Sequence, residues 1–232
     1  MNIKSCFCNK LVRFIYQNKA NNQFLYQIKS SLLHKAIKMN PYFSPNKIEA
    51  GCDEAGRGCL AGPVVAAAVI LPANHGIEAL NDSKQLSEKK RQKLVPLIKE
   101  KAIAYGIAFV GQEKIDEINI LNASFLAMHC AVDVLKVRPE LLLIDGNRFN
   151  AYPGIDHECI IKGDTLYQSI AAASILAKEA RDDFMRELHI EKPAYNWQKN
   201  KGYPTKEHKL ALIENGITKH HRKSFKLFAI VE

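Results

Sequence analysis

The stretch Gly51-Cys52-Asp53-Glu54-Ala55-Gly56-Arg57-Gly58 decides how this chain is read. Two carboxylates follow the run Ile48 to Cys52 and stand directly before a Gly-x-Gly loop. An apolar run of this length reads as a strand, and the acids sit at its end. Neighbouring strand residues point to opposite faces, so both acids serve one centre only if the strand bends or ends there. The flanking glycines permit that, and they let backbone approach a ligand closely. Arg57 sets a planar cation between them. Taken alone, the octet also reads as a solvated acidic strand end before a turn.

Working outward, Val64 to Leu71 is a near-continuous apolar run, suited to a strand buried on both faces. Ser87 is placed to cap a helix from Glu88 to about Glu100, kinked or shortened by Pro96. Ala102 to Val110 returns as a strand. Leu121, Phe125, Met128, Val132 and Leu135 recur at helical spacing and mark an amphipathic helix facing a core. Leu141 to Ile144 reads as a short buried strand and Glu158 to Lys162 as another. A long helix is expected from about Thr165 to Leu188, then a last one capped by Thr205 and closed by Gly216. The order predicts an α/β fold, a mixed sheet flanked by helices, with a small helical lobe from about residue 190.

Two further places carry acids at element ends. Asp145 closes Leu141-Leu142-Leu143-Ile144 and precedes Gly146-Asn147, where α/β proteins gather ligands; an Asx-type turn explains it equally well in isolation. Asp164, in Lys162-Gly163-Asp164, stands where an acid caps a helix and complements its dipole. Together, Asp53, Glu54, Asp145 and Asp164 put four carboxylates at element ends of one predicted sheet. Such a cluster repels itself unless cations neutralise it, and hard oxygen ligands select Mg²⁺ or Mn²⁺. A pair of such ions about 3.5–4 Å apart activates a water and stabilises the leaving oxygen of a phosphodiester. Metal-dependent phosphodiester hydrolysis is the reading from residues alone.

The 232 residues are 47% apolar and 25% charged, ordinary for a globular chain and unlike disordered, collagen-like or coiled-coil sequences. The apolar stretch Cys59 to Ala73 is broken by Gly62, Pro63 and Pro72 and is shorter than a membrane span requires. Of 33 basic residues, residues 1–38 hold seven, with no acid, which leaves 26 against 24 in the rest. The net charge of +9 therefore belongs mostly to that segment. Three readings compete for it: a transit-peptide-like leader, a basic nucleic-acid arm, or an upstream extension ahead of a start at Met39. A disordered arm or the extension is preferred, with residues 39–232 as the catalytic domain. The six cysteines show no zinc spacing and no C-x-x-C pair, and no secretory signal precedes them. Reduced, partly buried thiols in a cytoplasmic protein are expected.

The octet, continuing as Leu60-Ala61-Gly62-Pro63-Val64-Val65-Ala66-Ala67, resembles the opening signature of ribonuclease HII, the type 2 ribonuclease H family. The resemblance runs on in order through Asn81-Asp82-Ser83-Lys84-Gln85-Leu86-Ser87, Asn122-Ala123-Ser124, Leu143 to Asn147 and Lys162-Gly163-Asp164. It continues through Ser169 to Lys178, Gly202 to His208 and His221-Arg222-Lys223-Ser224-Phe225. It implies an RNase H-like fold and endonucleolytic cleavage of RNA in RNA–DNA hybrids, including nicking 5′ of ribonucleotides embedded in duplex DNA. It implies that Asp53, Glu54, Asp145 and Asp164 hold the divalent ions, that Gly56-Arg57-Gly58 reads the ribose 2′-hydroxyl through backbone contacts, and that Tyr203 packs on the sugar at the RNA–DNA junction. The 2′-hydroxyl is how a protein tells RNA from DNA. The sister type, ribonuclease HIII, usually lacks the loop arginine and carries a sizeable N-terminal domain, which 38 polar, acid-free residues are too short to supply. Pro204 stands where glycine is common in the family.

Other residues carry less. Ser83 and Lys84 could hold a phosphate, though a lysine ahead of a helix is commonly just solvated. Ser174 and Lys178, one turn apart, face either the site or the sheet. Tyr195 and Trp197, near Lys199 and Lys201, could stack on nucleic acid, but anchoring a helical lobe is the better reading for Trp197. His208 and the His220-His221-Arg222 cluster lack metal spacing and serve structure or phosphate contact. Two rival functions remain: a hybrid-binding module without catalysis, argued against by the four acids, and a junction-resolving DNA nuclease of the same fold, which would need neither the Gly-Arg-Gly loop nor Tyr203. The expected protein is a monomer with no membrane contact.

Overall fold

The computed structural model describes residues 39–228, and every expectation for residues 1–38 lies outside them. Five strands, β1 (Glu49–Ala55), β2 (Val64–Ile70), β3 (Ala104–Val110), β4 (Leu141–Asp145) and β5 (Asp156–Ile160), form one sheet in the order β3-β2-β1-β4-β5. The first three are antiparallel neighbours, whereas β4 runs parallel to β1 and β5 parallel to β4. α-Helical residues carry the chain from β3 back to β4, while residues 146–155 link β4 to β5 without a helix, and the sheet is mixed, as the element order predicts.

The helices are α1 (Glu88–Lys101), α2 (Gln112–Asp133), the short α3 (Gly163–Leu166), α4 (Gln168–Glu191), the short α5 (Trp197–Asn200) and α6 (Lys206–Asn215), with a 3₁₀ turn at Pro193–Tyr195. β2 is buried at every position because both its faces are covered. One face presents Ala66, Ala68 and Ile70 to Ala123, Ala127, Met128 and Ala131 of α2. The other presents Ala67 and Val69 to Ala172, Ala173, Leu176 and Ala177 of α4 and to Leu94 and Ile98 of α1. Small residues predominate where helix meets sheet, so the layers pack closely. Gly51 is the tightest such place: a Cβ there would lie 2.3 Å from the backbone of Ser169 and Ile170, so only glycine lets the start of α4 rest on β1. A third cluster, with Leu60, Met185, Leu188, Trp197 and Leu212, roots the C-terminal lobe.

Several boundaries differ from expectation, each for a local reason. β1 does not stop at Cys52 but keeps its ladder with β2 through Ala55. β5 covers 156–160 rather than 158–162, because Lys162 takes a left-handed conformation that opens α3. The single helix expected from Thr165 is broken at Tyr167, whose extended backbone pairs with Asn40. Ser87 occupies the N-cap position of α1 without a side-chain hydrogen bond, while Thr205 caps α6 by accepting from the His208 N–H. Pro96 lies inside α1 without ending it. Among the described residues Cys52, Cys59, Cys130 and Cys159 are free thiols, and no helix is long and apolar enough to cross a membrane.

Candidate metal centre

The register between β1 and β4 builds the centre. Cys52 pairs with Ile144, so one step further the two strands deliver Asp53 and Asp145 side by side at the same sheet end. Asp164 reaches them from the first turn of α3, which the left-handed Lys162 turns back toward the sheet. Carboxylate oxygens of Asp53, Asp145 and Asp164 all lie within 4.8 Å of one another. Glu54 is not in that set. β1 continues past the acids to Ala55, and Glu54 Oε1 lies 3.2 Å from Arg57 Nη1, while the Glu54 carboxylate stays near enough for its charge to act on Asp53 and for Asp145 to act on it.

Three acids this close are held by few donors. The Glu54 N–H donates to Asp53 Oδ1 at 2.7 Å and the Gly163 N–H to Asp145 Oδ1 at 2.8 Å. Lys84 Nζ stands 3.5 Å from Asp164 Oδ2 on an exposed side chain. Burial pushes the Asp53 carboxyl well above the carboxylate range, and the charges of Glu54 and Asp145 add to that, while Ser174 and the Glu54 N–H pull the other way. Burial likewise raises Asp145, against the Gly163 N–H, and raises Asp164, reinforced by Asp145 and Asp82. Glu54 is also raised by burial, with Arg57 opposing. Burial works to lower Lys84, but Asp164, Asp53, Asp82 and Asp145 together lift its pKa above the usual value. One exposed ammonium does not neutralise this cluster. An all-oxygen, undercompensated acid set is what a hard divalent cation fits.

The Gly56-Arg57-Gly58 loop follows immediately. Gly56 has φ +95°, and a Cβ on it would overlap the buried Arg181 guanidinium, 2.0 Å from Nε. Tyr203 lies on the loop before α6, partly exposed, with the Lys178 ammonium 5.8 Å and the Arg181 guanidinium 5.9 Å from its ring centre.

Residues singled out only weakly by sequence resolve as follows. Ser83 and Ser174 hydroxyls bond each other at 2.7 Å, beside Asp53. Lys178 pairs with Asp182 at 2.6 Å. Trp197 is fully buried, stacks on Tyr195 with ring centres 4.9 Å apart and donates to His208 Nε2, so it anchors the lobe. His208 and His221 are buried structural groups. Sequence reasoning missed Asp82, whose charge acts on Asp145 and Asp164, and Arg181, which is fully buried. The signal for Arg181 was available: it lies one turn from both Ala177 and Met185, on the apolar face of α4.

A family model described as Ribonuclease HII matches residues 50–228. A ribonuclease HII from Parabacteroides distasonis is 65% identical over 187 residues, covering 81% of this chain and 94% of that protein. Among solved structures, the ribonuclease H2 from Pyrococcus horikoshii OT3 superposes with a TM-score of 0.64 at 25% identity, covering 78% of this chain and 94% of that one. Bst-RNase HIII in complex with Mn²⁺ shares the fold, with a TM-score of 0.62 at 17% identity, over 82% of this chain and 69% of its own. With the match running from β1 into the C-terminal lobe, the chain belongs to the ribonuclease HII family, metal-dependent endoribonucleases of RNA–DNA hybrids.

Proposed function

We propose that this protein cleaves the RNA strand of RNA–DNA hybrids and also nicks duplex DNA on the 5′ side of an embedded ribonucleotide, using a pair of Mg²⁺ or Mn²⁺ ions. The observation that carries the reading is the convergence of Asp53, Asp145 and Asp164 beside a glycine loop. These three acids, with Glu54 completing the set from the adjoining strand position, would hold the ions. Bound there, divalent cations supply charge neutralisation at the scissile phosphate and activation of the attacking water.

The chain's own groups do the rest. The Gly163 and Glu54 N–H groups fix the Asp145 and Asp53 carboxylates in orientation before any ligand arrives. Arg57, tethered to Glu54, keeps its exposed guanidinium at the site's mouth, where a backbone phosphate of the substrate would pass. Gly58, exposed and with open space where a side chain would stand, leaves backbone uncovered for a ribose 2′-hydroxyl, and Tyr203 offers a partly exposed ring face for the following deoxyribose. We place the activity in residues 39–232 of a cytoplasmic monomer.

The test is cleavage of an end-labelled hybrid by wild type and by Asp145→Asn, with Mn²⁺ affinity read by calorimetry. The substitution keeps size and removes one charge. Rate and metal affinity should collapse while hybrid binding and the unfolding midpoint persist. Near wild-type cleavage in Mg²⁺ would remove Asp145 from the centre.

A further inference from the structure

Gly56-Arg57-Gly58 and Tyr203 are 145 or more residues apart in sequence, yet the proposed substrate reading needs them in one fixed relation. The backbone alone links them thinly, through the Leu60 N–H donating to the Gly202 carbonyl at 2.7 Å. A buried side chain does more. Arg181 of α4 is fully buried, and its guanidinium donates to three carbonyls: Nε to Pro63 at 2.9 Å, Nη2 to Ala61 at 3.1 Å and Nη1 to Lys201 at 2.8 Å. The first two belong to the segment that continues the glycine loop. The third lies two residues before Tyr203, and the same guanidinium sits under the Tyr203 ring. Its Nε also fills the space a side chain at position 56 would take.

Arg222 closes the loop from the other side, donating from Nε to Gly62 at 3.0 Å and from Nη1 to Arg57 at 2.9 Å, and its side chain makes no hydrogen bond to the Tyr203 segment among the described residues. The two arginines therefore differ in kind: one steadies a loop, the other joins two. A planar fork with fixed donors suits that task, and an ammonium on a flexible stem does not. Burying a full charge against carbonyls rather than a carboxylate is costly, and apolar packing would hold a helix to a loop more cheaply.

We propose that Arg181 is a specificity-positioning residue, coupling the glycine loop to Tyr203 so that ribose and following deoxyribose are read as one unit. This rests on the assignment of those two elements to substrate reading. The acids lie on β1, β4 and α3, none of which accepts a bond from Arg181, so the metal centre should be indifferent to it.

The experiment compares wild type, Arg181→Lys, Tyr203→Ala and the double variant on a long hybrid and on duplex DNA with one ribonucleotide. Arg181→Lys should bind Mn²⁺ as wild type does. Its kcat/KM on the single-ribonucleotide duplex should fall about tenfold more than on the hybrid, the equivalent of one lost charge-assisted contact. The double variant should lose no more selectivity than Tyr203→Ala alone, because the two act through one arrangement. Should Arg181→Lys fail to fold, Gly202→Ala perturbs the same junction without a buried-charge change: its Cβ would press the Ala61 carbonyl at 2.7 Å, and the same selective loss is expected. Equal losses on both substrates, or additive effects in the double variant, overturn the proposal while the substrate reading stands. No change of ratio in Tyr203→Ala itself would sink that reading and the coupling with it.

Discussion

Acid should loosen the lobe that carries Tyr203, and the effect can be sized. His208 and His221 are buried with their Nε2 atoms 3.2 Å apart, and both must be neutral to share that contact. Trp197 Nε1–H donates to His208 Nε2 at 3.0 Å, which leaves His208 protonated on Nδ1 and donating to the Tyr203 carbonyl at 3.0 Å. The Thr218 N–H donates to His221 Nδ1 at 3.0 Å, which assigns His221 the Nε2–H form. Burial and the neighbouring imidazoles push His221 down to about 4 from 6.5, and burial lowers His208 as well. Between those two values the unfolded chain takes up a proton that the folded one refuses, so stability is present above the unfolded value and is lost as pH falls toward the folded one. From pH 7 to pH 5, His221 alone should cost about 2 kcal/mol. The raised acids of the metal centre oppose this, since they bind protons more readily when folded. The assay is therefore differential: urea unfolding at the two pH values for wild type and His221→Gln, whose amide can still donate toward His208. The variant should be less stable at pH 7 but lose about 2 kcal/mol less on acidification. Equal losses in the two proteins would refute the neutral imidazole pair.

Three further outcomes are expected. Gly56→Ala should lower stability by about 3 kcal/mol, from a left-handed backbone forced on a residue with a side chain and from displaced Arg181 hydrogen bonds, measured by chemical unfolding. Tyr203→Ala should impair the single-ribonucleotide duplex about tenfold more than a long hybrid, where many registers are available; the ratio of initial rates decides it. A chain starting at Met39 should fold and cleave normally, with a shallower salt dependence of hybrid binding because up to seven cations leave. Loss of soluble activity would assign residues 1–38 a structural part.

The sheet was legible because its strands alternate in type as burial demands. The unbroken apolar run Val64–Ile70 could only be a strand covered on both faces, and α2 and α4 cover it. Asp53 and Asp145 were legible as charges ending such runs, and the parallel register brings them together. What was not legible depended on long-range geometry. Whether β1 stops at its acids is decided by pairing with β2, where Glu54 meets Ala66, 12 residues on, and that pairing carries the strand through to Ala55. The break at Tyr167 comes from a bridge to Asn40, which no local propensity encodes. The helical spacing of Arg181 with Ala177 and Met185 marks it as inward-facing, but the three carbonyls it meets lie on distant segments that no local pattern encodes.

The most direct measurement of the whole account is cleavage of three duplexes of equal length in Mg²⁺ and in Mn²⁺: a long RNA–DNA hybrid, DNA carrying one ribonucleotide, and all-DNA. The hybrid should be cut at many positions and the second substrate once, 5′ to the ribonucleotide, with chelator abolishing both and the all-DNA duplex left intact. Efficient cutting of all-DNA, or undiminished cutting in excess chelator, would contradict it.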